Sequence, residues 1–124
     1  MNIVDSCGWL EYLADGPNAE FFAKPLKDIN KLIVPSISIL EVFKRVLQQR
    51  DEESALQTAA VMQQGKIVDL NVSIALSAAK ISSDLSLPLA DSVILATARL
   101  HNATIWTQDS DFENIAGVKY AKRK

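Results

Sequence analysis

The chain has 124 residues, of which 48% are apolar and 23% charged, and carries a formal net charge of −2. One cysteine and one histidine exclude an intramolecular disulfide and a zinc centre of the usual Cys/His composition, and the charge balance excludes a global basic field for capturing nucleic acid. Length and apolar content predict a single domain, residues 1–124, with a core large enough to fold without staples.

Asn2-Ile3-Val4 reads as a first strand, ended by Asp5. That acid interrupts the N-terminal apolar stretch and no basic segment precedes it, so no secretory signal is expected. No apolar run is long enough to span a membrane. With the lone cysteine, this sets a cytoplasmic, membrane-free protein as the expectation. Ser6 is a candidate cap for a helix over Gly8–Ala14, which Asp15-Gly16-Pro17 stops. A second helix is expected from Asn18 to about Lys24, anchored by Phe21 and Phe22 and ended or kinked by Pro25. Leu32-Ile33-Val34 reads as a strand ended by Pro35.

Ser36, or Ser38 paired with Glu41 at capping-box spacing, opens the next helix. Asp51-Glu52-Glu53 suits the dipole at the start of another helix ending near Gly65. Lys66–Leu70 reads as a strand, and Asn71 caps a helix from Val72 to about Asp84. Pro88 opens a helix from Leu89 to about Leu100, with Asn102 as its C-terminal cap. Thr104–Thr107 is a strand, Asp109–Ile115 a short helix, and Val118–Tyr120 a last strand. Alternation of strands and helices predicts an α/β fold, a three-layer α/β/α sandwich around a mostly parallel sheet. Sites in such sheets form beyond the C-terminal ends of the strands, where Asp5 and Asp109 fall.

Asp91 is the most informative acid. On a helix it shares a face with Ile94, Leu95 and Ala98, where an ionised carboxylate is costly unless paired or bound to a cation. Its bland reading is a first-turn acid favoured by the helix dipole. Glu41 lies among Ile37, Ile39, Leu40, Val42 and Phe43; alone it reads as a partner for Ser38 or a surface pair with Arg45. Asp5, Asp109 and Asp111 each have a capping role as the bland alternative, and Asp69 and Asp84 read as surface acids. Carboxylates gathered from separate elements, however, make the oxygen-rich site that Mg²⁺ or Mn²⁺ prefers.

Four segments together resemble the PIN-domain ribonucleases, in particular the VapC-type toxins of bacterial toxin–antitoxin pairs. They are Ile3-Val4-Asp5-Ser6, Ile37-Ser38-Ile39-Leu40-Glu41-Val42, Leu87–Ala98 around Asp91, and Ile105-Trp106-Thr107-Gln108-Asp109-Ser110-Asp111-Phe112. The resemblance implies Asp5, Glu41, Asp91 and Asp109 as catalytic ligands of Mg²⁺ or Mn²⁺, direct or through water. It implies Ser6 and Thr107 as hydroxyls orienting those ligands, with Asp111 as a further acid. Cys7 departs mildly from the family's small polar residue and reads as a small buried hydrophobe.

The likeness further implies hydrolysis of single-stranded or structured RNA by an activated water, leaving 5′-phosphate and 3′-hydroxyl ends. Lys44, Arg45 and Arg99 are candidate contacts to the RNA backbone, and a solvated helix face is their bland reading. Trp9, Tyr12 and Trp106 have the chemistry to stack on bases, although the helical spacing of Trp9 and Tyr12 suits core packing. His101 is expected exposed at a helix C-terminus, without a catalytic role. A toxin implies an antitoxin partner, for which the helices around Phe21, Phe22 and Phe43 offer a candidate groove, and the family implies a homodimer.

Three alternatives stand beside this reading. One is a PIN nuclease of general RNA processing, and another a non-catalytic PIN module that binds RNA or protein. The last is an aspartyl-phosphate enzyme, disfavoured because position 7 is Cys where a second Asp is wanted.

Overall fold

The computed structural model describes residues 1–124. Five strands form one sheet: β1 (Asn2–Val4), β2 (Leu32–Pro35), β3 (Lys66–Val68), β4 (Thr104–Thr107) and β5 (Val118–Tyr120). Their order is β3-β2-β1-β4-β5, and all four pairings are parallel. Six helices cover the two faces: α1 (Ser6–Leu13), α2 (Ala19–Lys27), α3 (Ser36–Gln49), α4 (Glu52–Met62), α5 (Val72–Leu85) and α6 (Leu89–His101). Short 3-10 turns occupy Ile29–Lys31 and Ser110–Phe112. The α/β/α sandwich expected from the sequence is therefore present.

Alternation along the strands divides the core in two. Ile3, Ile33 and Ile105 point to the side covered by α5 and α6. Val4, Leu32, Val34 and Trp106 point to the side of α1, α2, α3 and α4. Strands buried on both faces read as unbroken apolar runs, which is why Leu32-Ile33-Val34 shows no polar alternation. Helix α6 is enclosed on all sides, with Ser92 through Ala98 buried without a break. Its two buried hydroxyls are satisfied within the helix, Ser92 Oγ donating to the Pro88 carbonyl at 2.9 Å and Thr97 Oγ1 to the Val93 carbonyl at 2.8 Å. Asn102 closes it in the left-handed region at φ 51°.

Three local expectations need correction. Asp5 rather than Ser6 is the cap of α1, accepting from the Ser6 N–H at 2.8 Å. Pro25 lies inside α2, which continues to Lys27. Burial of Pro25 and Leu26 against the core offsets the loss of the one bond its missing N–H would make to the Phe21 carbonyl. No capping box opens α3, because Pro35 is its N-cap and makes no side-chain cap bond. Ser38 is instead within the helix and buried, its hydroxyl without a partner.

Asn71 caps α5 as expected, and Asp51, expected only to favour the helix dipole by its charge, also caps α4. Asp51 accepts from the Ser54 N–H at 2.7 Å and Asn71 from the Ile74 N–H at 2.9 Å. The helix expected over Asp109–Ile115 shrinks to the single 3-10 turn.

Candidate metal centre

The parallel sheet brings the C-terminal ends of β1 and β4 side by side, with Val4 paired to Trp106. The residues that follow each strand, Asp5 and Thr107 to Asp109, therefore meet at one edge of the sandwich. Helix α6 starts at the same end and presents Asp91 from its first turn. Carboxylate oxygens of Asp5, Asp91 and Asp109 all lie within 4.8 Å of one another. No basic side chain pairs with them; the one ion pair of the molecule is Lys80–Asp84 on α5.

Asp5 is buried, at 3% exposure, and its carboxylate is held by three donors. The Ser6 N–H reaches Oδ1 at 2.8 Å, and the Thr107 hydroxyl and the Cys7 thiol reach Oδ2 at 3.0 and 3.5 Å. Thr107 Oγ1 also accepts from the Asp109 N–H at 3.0 Å, so one oxygen links two of the acids. Asp109 Oδ1 in turn accepts from the Asp111 N–H at 2.9 Å, which sets its rotamer through the short turn.

Crowding of like charges in a partly dry site moves the titrations upward. Burial raises Asp5, against the pull of its hydrogen bonds, and Asp109 adds to the rise. Asp91 is pushed up to about 7, first by burial and then by the charges of Asp5, Asp109, Asp111 and Glu41. Glu41, half-buried on α3, is raised by burial and by Asp5 and Asp109, with a hydrogen bond from the Ser6 side chain working the other way. Glu41 thus faces the same centre without belonging to its tightest triad. Asp111 is exposed and joins through its charge and its backbone.

Such a set of oxygens, unpaired and mutually repelling, fits a hard divalent cation. Burial costs an isolated carboxylate heavily, and a cation relieves both the desolvation and the repulsion.

Cys7 is not the buried hydrophobe expected. It is partly exposed, and its thiol lies against both Asp5 and Thr107, the latter at 3.4 Å. Burial, followed by the charge of Asp5, pushes that thiol up to about 12, so it acts as a neutral donor. Two further residues escaped sequence reasoning. Buried Asn18 donates through Nδ2 to Gln108 Oε1 at 2.9 Å and to the Lys122 carbonyl at 3.0 Å, bracing the β4 end between Thr107 and Asp109. Neither amide carries a local pattern that would mark it.

Lys44 and Arg45 line a depression of about 340 Å³ together with Ser6, Leu10 and Glu41. Arg99 lies at the other end of α6, eight residues from Asp91 or about 12 Å along the axis. Asp69 and Asp84 are exposed, as expected. Trp9 is core, Tyr12 packs against it, and Phe22 is fully buried, so Phe22 offers nothing to a partner. His101, expected exposed, is half-buried at the end of α6.

A family model described as "PIN domain" matches residues 3–118. Several solved structures share the fold. A toxin–antitoxin complex from Klebsiella pneumoniae superposes with a TM-score of 0.79 at 23% identity, over 96% of each chain. The Mycobacterium tuberculosis toxin VapC20, described as cleaving the sarcin–ricin loop, gives 0.78 at 12% identity over 95% of this chain and 97% of its own. VapBC2 of Rickettsia felis, bound to promoter DNA, gives 0.74 at 15% identity over 99% and 98%. No curated relative matches at the level of sequence.

Proposed function

This chain belongs to the PIN-domain family, and from that premise we propose that it is a divalent-cation-dependent endoribonuclease acting as the toxin of a toxin–antitoxin pair. The observation that carries the reading is the triad Asp5, Asp91 and Asp109, whose carboxylate oxygens lie within 4.8 Å of one another without a cationic side chain to neutralise them.

Asp5, Asp91 and Asp109 would hold Mg²⁺ or Mn²⁺, and Glu41 would contribute directly or through water. The chemistry such an ion supplies is neutralisation of phosphate charge and acidification of water. Thr107, Ser6 and Cys7 hold the Asp5 carboxylate in one orientation by their hydrogen bonds. Glu41, half-desolvated beside the triad, takes the proton released as water adds to phosphorus. The bond from phosphorus to the 3′ oxygen breaks and that oxygen takes a proton from solvent water, leaving a 3′-hydroxyl and a 5′-phosphate. Lys44 and Arg45, in the same depression as Glu41, bind the phosphate backbone next to the cut.

The antitoxin would dock in an apolar depression of about 320 Å³ between α1, α3 and α4, lined by Leu10, Leu13, Val46 and Val61. Leu10 lines both this depression and the one beside Glu41, so a bound segment would extend toward the acids. The Klebsiella neighbour is itself a toxin–antitoxin complex, which supports a protein partner for this chain. Retention of all four acids argues against a non-catalytic module. The family likeness also carries a homodimer, which sedimentation velocity on the purified chain tests: a monomer at micromolar concentration removes it.

The decisive assay incubates the chain with total cellular RNA, with and without Mg²⁺ or Mn²⁺, beside an Asp91→Asn variant, and maps product ends. Cuts that need metal, leave 5′-phosphates and vanish in the variant are expected. Cuts that survive chelation or the substitution would sink the site assignment. Toxicity has its own readout. Expression of the chain alone should arrest growth, and co-expression of the adjoining reading frame should restore it. A chain carrying Leu13→Asp and Val61→Asp should stay toxic in that frame's presence.

A further inference from the structure

On the α2 side of the sheet, away from the acids, the β5 edge carries a second concentration of charge. A depression of about 820 Å³ there is lined by Glu20, Phe21, Ala23, Lys24, Lys27, Trp106 and Lys119. Two separate elements supply its cations. Lys24 and Lys27 are three residues apart on α2 and share a face. Lys119 stands on β5 opposite Trp106 in the parallel register.

Its ammonium lies 4.5 Å from the centroid of the Trp106 ring. That ring is itself fixed, its Nε1 donating to Asn2 Oδ1 at 2.9 Å and Phe21 packing against it at 5.1 Å. Three cations meet one acid, Glu20, in this lining, and none of the three is in an ion pair. The backbone of the C-terminal segment passes beside the start of α2, where Asn18 donates to the Lys122 carbonyl. In a chain with a net charge of −2, three of the 13 basic residues thus line one depression.

We propose that this lysine-lined edge binds the phosphate backbone of the substrate RNA outside the cleaved segment. Charge complementarity selects the occupant: unpaired ammonium groups on an aromatic floor suit a flexible polyanion, and neutralisation of phosphates releases condensed counterions. Trp106 is too enclosed, at 7% exposure, to stack on a base; it serves as the platform on which Lys119 is held. The lysines therefore touch backbone and read no sequence. Residue order makes the route from one site to the other short. Trp106 faces the lysines, Thr107 the acids, and Gln108 between Thr107 and Asp109 is tied to Asn18 and so to the C-terminal tail. A strand of RNA leaving the acids over the β4 end passes along this edge. The proposal rests on the ribonuclease reading.

The test measures equilibrium binding of labelled poly-uridylate to the full chain carrying Asp91→Asn, without metal, over a range of KCl. Adding Lys24→Gln, Lys27→Gln and Lys119→Gln together should weaken binding about tenfold at moderate salt. The slope of log affinity against log salt should shrink in magnitude by about 2, at roughly 0.7 for each phosphate that the three lysines neutralise. A charge-matched control, Arg50→Gln with Lys66→Gln and Lys80→Gln, should leave that slope unchanged. Equal weakening by both sets, no weakening by either, or no binding by the parent at any salt would each overturn the edge site. Those outcomes leave the nuclease reading to the RNA-cutting assay of the unsubstituted chain, so the two fail separately.

Discussion

The hydroxyl of Thr107 holds two acids at once, donating to Asp5 Oδ2 and accepting from the Asp109 N–H. Thr107→Val keeps the shape and removes that oxygen. Because groups that orient ligands typically contribute 10- to 100-fold in metal affinity, Mn²⁺ binding measured by calorimetry should weaken by about that factor. Unchanged affinity would mean that the carboxylates are positioned without it. Asp91 makes a pH prediction. Its carboxyl titrates near 3.8 in ordinary surroundings and is pushed up to about 7 in the fold by burial and neighbouring acids. Between those values the folded chain binds the extra proton, so this group's contribution to metal-free stability is present below pH 4 and lost as pH rises through 7. Partial exposure of Asp91 tempers the size but not the sign. In chelator, the melting temperature of the chain minus that of Asp91→Asn should therefore fall between pH 4 and 7. A flat difference would remove the buried repulsion as its cause.

Among the elements, α1 and α3 show where local rules gave way to packing. Ser38 and Glu41 have the spacing of a capping box, yet the N-cap of α3 falls three residues earlier, at Pro35, which ends β2 in extended geometry so that the helix starts directly after it. Ser38 is thereby carried into the core with an unpartnered hydroxyl. Ser38→Ala should stabilise the chain, by up to about 1 kcal/mol in urea denaturation, since it removes a buried unsatisfied group and favours the helix. A loss of stability would point to a partner for that hydroxyl. In α1, Gly8 permits close approach. A Cβ there would lie 2.6 Å from the Phe22 ring and 2.7 Å from Val4 Cγ1. Gly8→Ala should cost about 1–3 kcal/mol in the same experiment, through overpacking where α1 meets α2 and β1. Pro25 within α2 teaches the same lesson, as a helix tolerates one missing bond when the ring is buried.

Over the whole molecule, stability should be graded from the centre of the sheet outward. β1 lies between β2 and β4, with Ile3, Val4 and Ile105 fully buried, whereas β3 and β5 are edges with exposed lysines. α4 packs mainly on α3 and leaves Leu56 and Val61 exposed. Native-state hydrogen exchange should find the β1 and β4 amides opening only with global unfolding, and those of α4 opening locally at lower free energy. Equal protection throughout would mean one cooperative unit.

Much of this was legible in the residues taken alone. Strands, the caps at Asn71 and Asn102 and the α/β/α class follow from apolar runs, Asn and Pro at element ends, and alternation of strand and helix, all of which act within a few residues along the chain. The acids stood out for a similar reason: Asp91 sits on an apolar helical face whatever the rest of the chain does. Spacing could not reveal that Asp5, Asp91 and Asp109 converge within 4.8 Å while Glu41 stands slightly apart, because 86 residues separate Asp5 from Asp91 and only the parallel register of β1 and β4 and the seat of α6 close that gap. Nor could it reveal the Cys7 contact with Asp5, the burial of Asn18 and Gln108, or the gathering of Lys24, Lys27 and Lys119. Local chemistry is written in short sequence windows, while the charge field of a site is a sum over groups that only the tertiary fold brings within reach of one another.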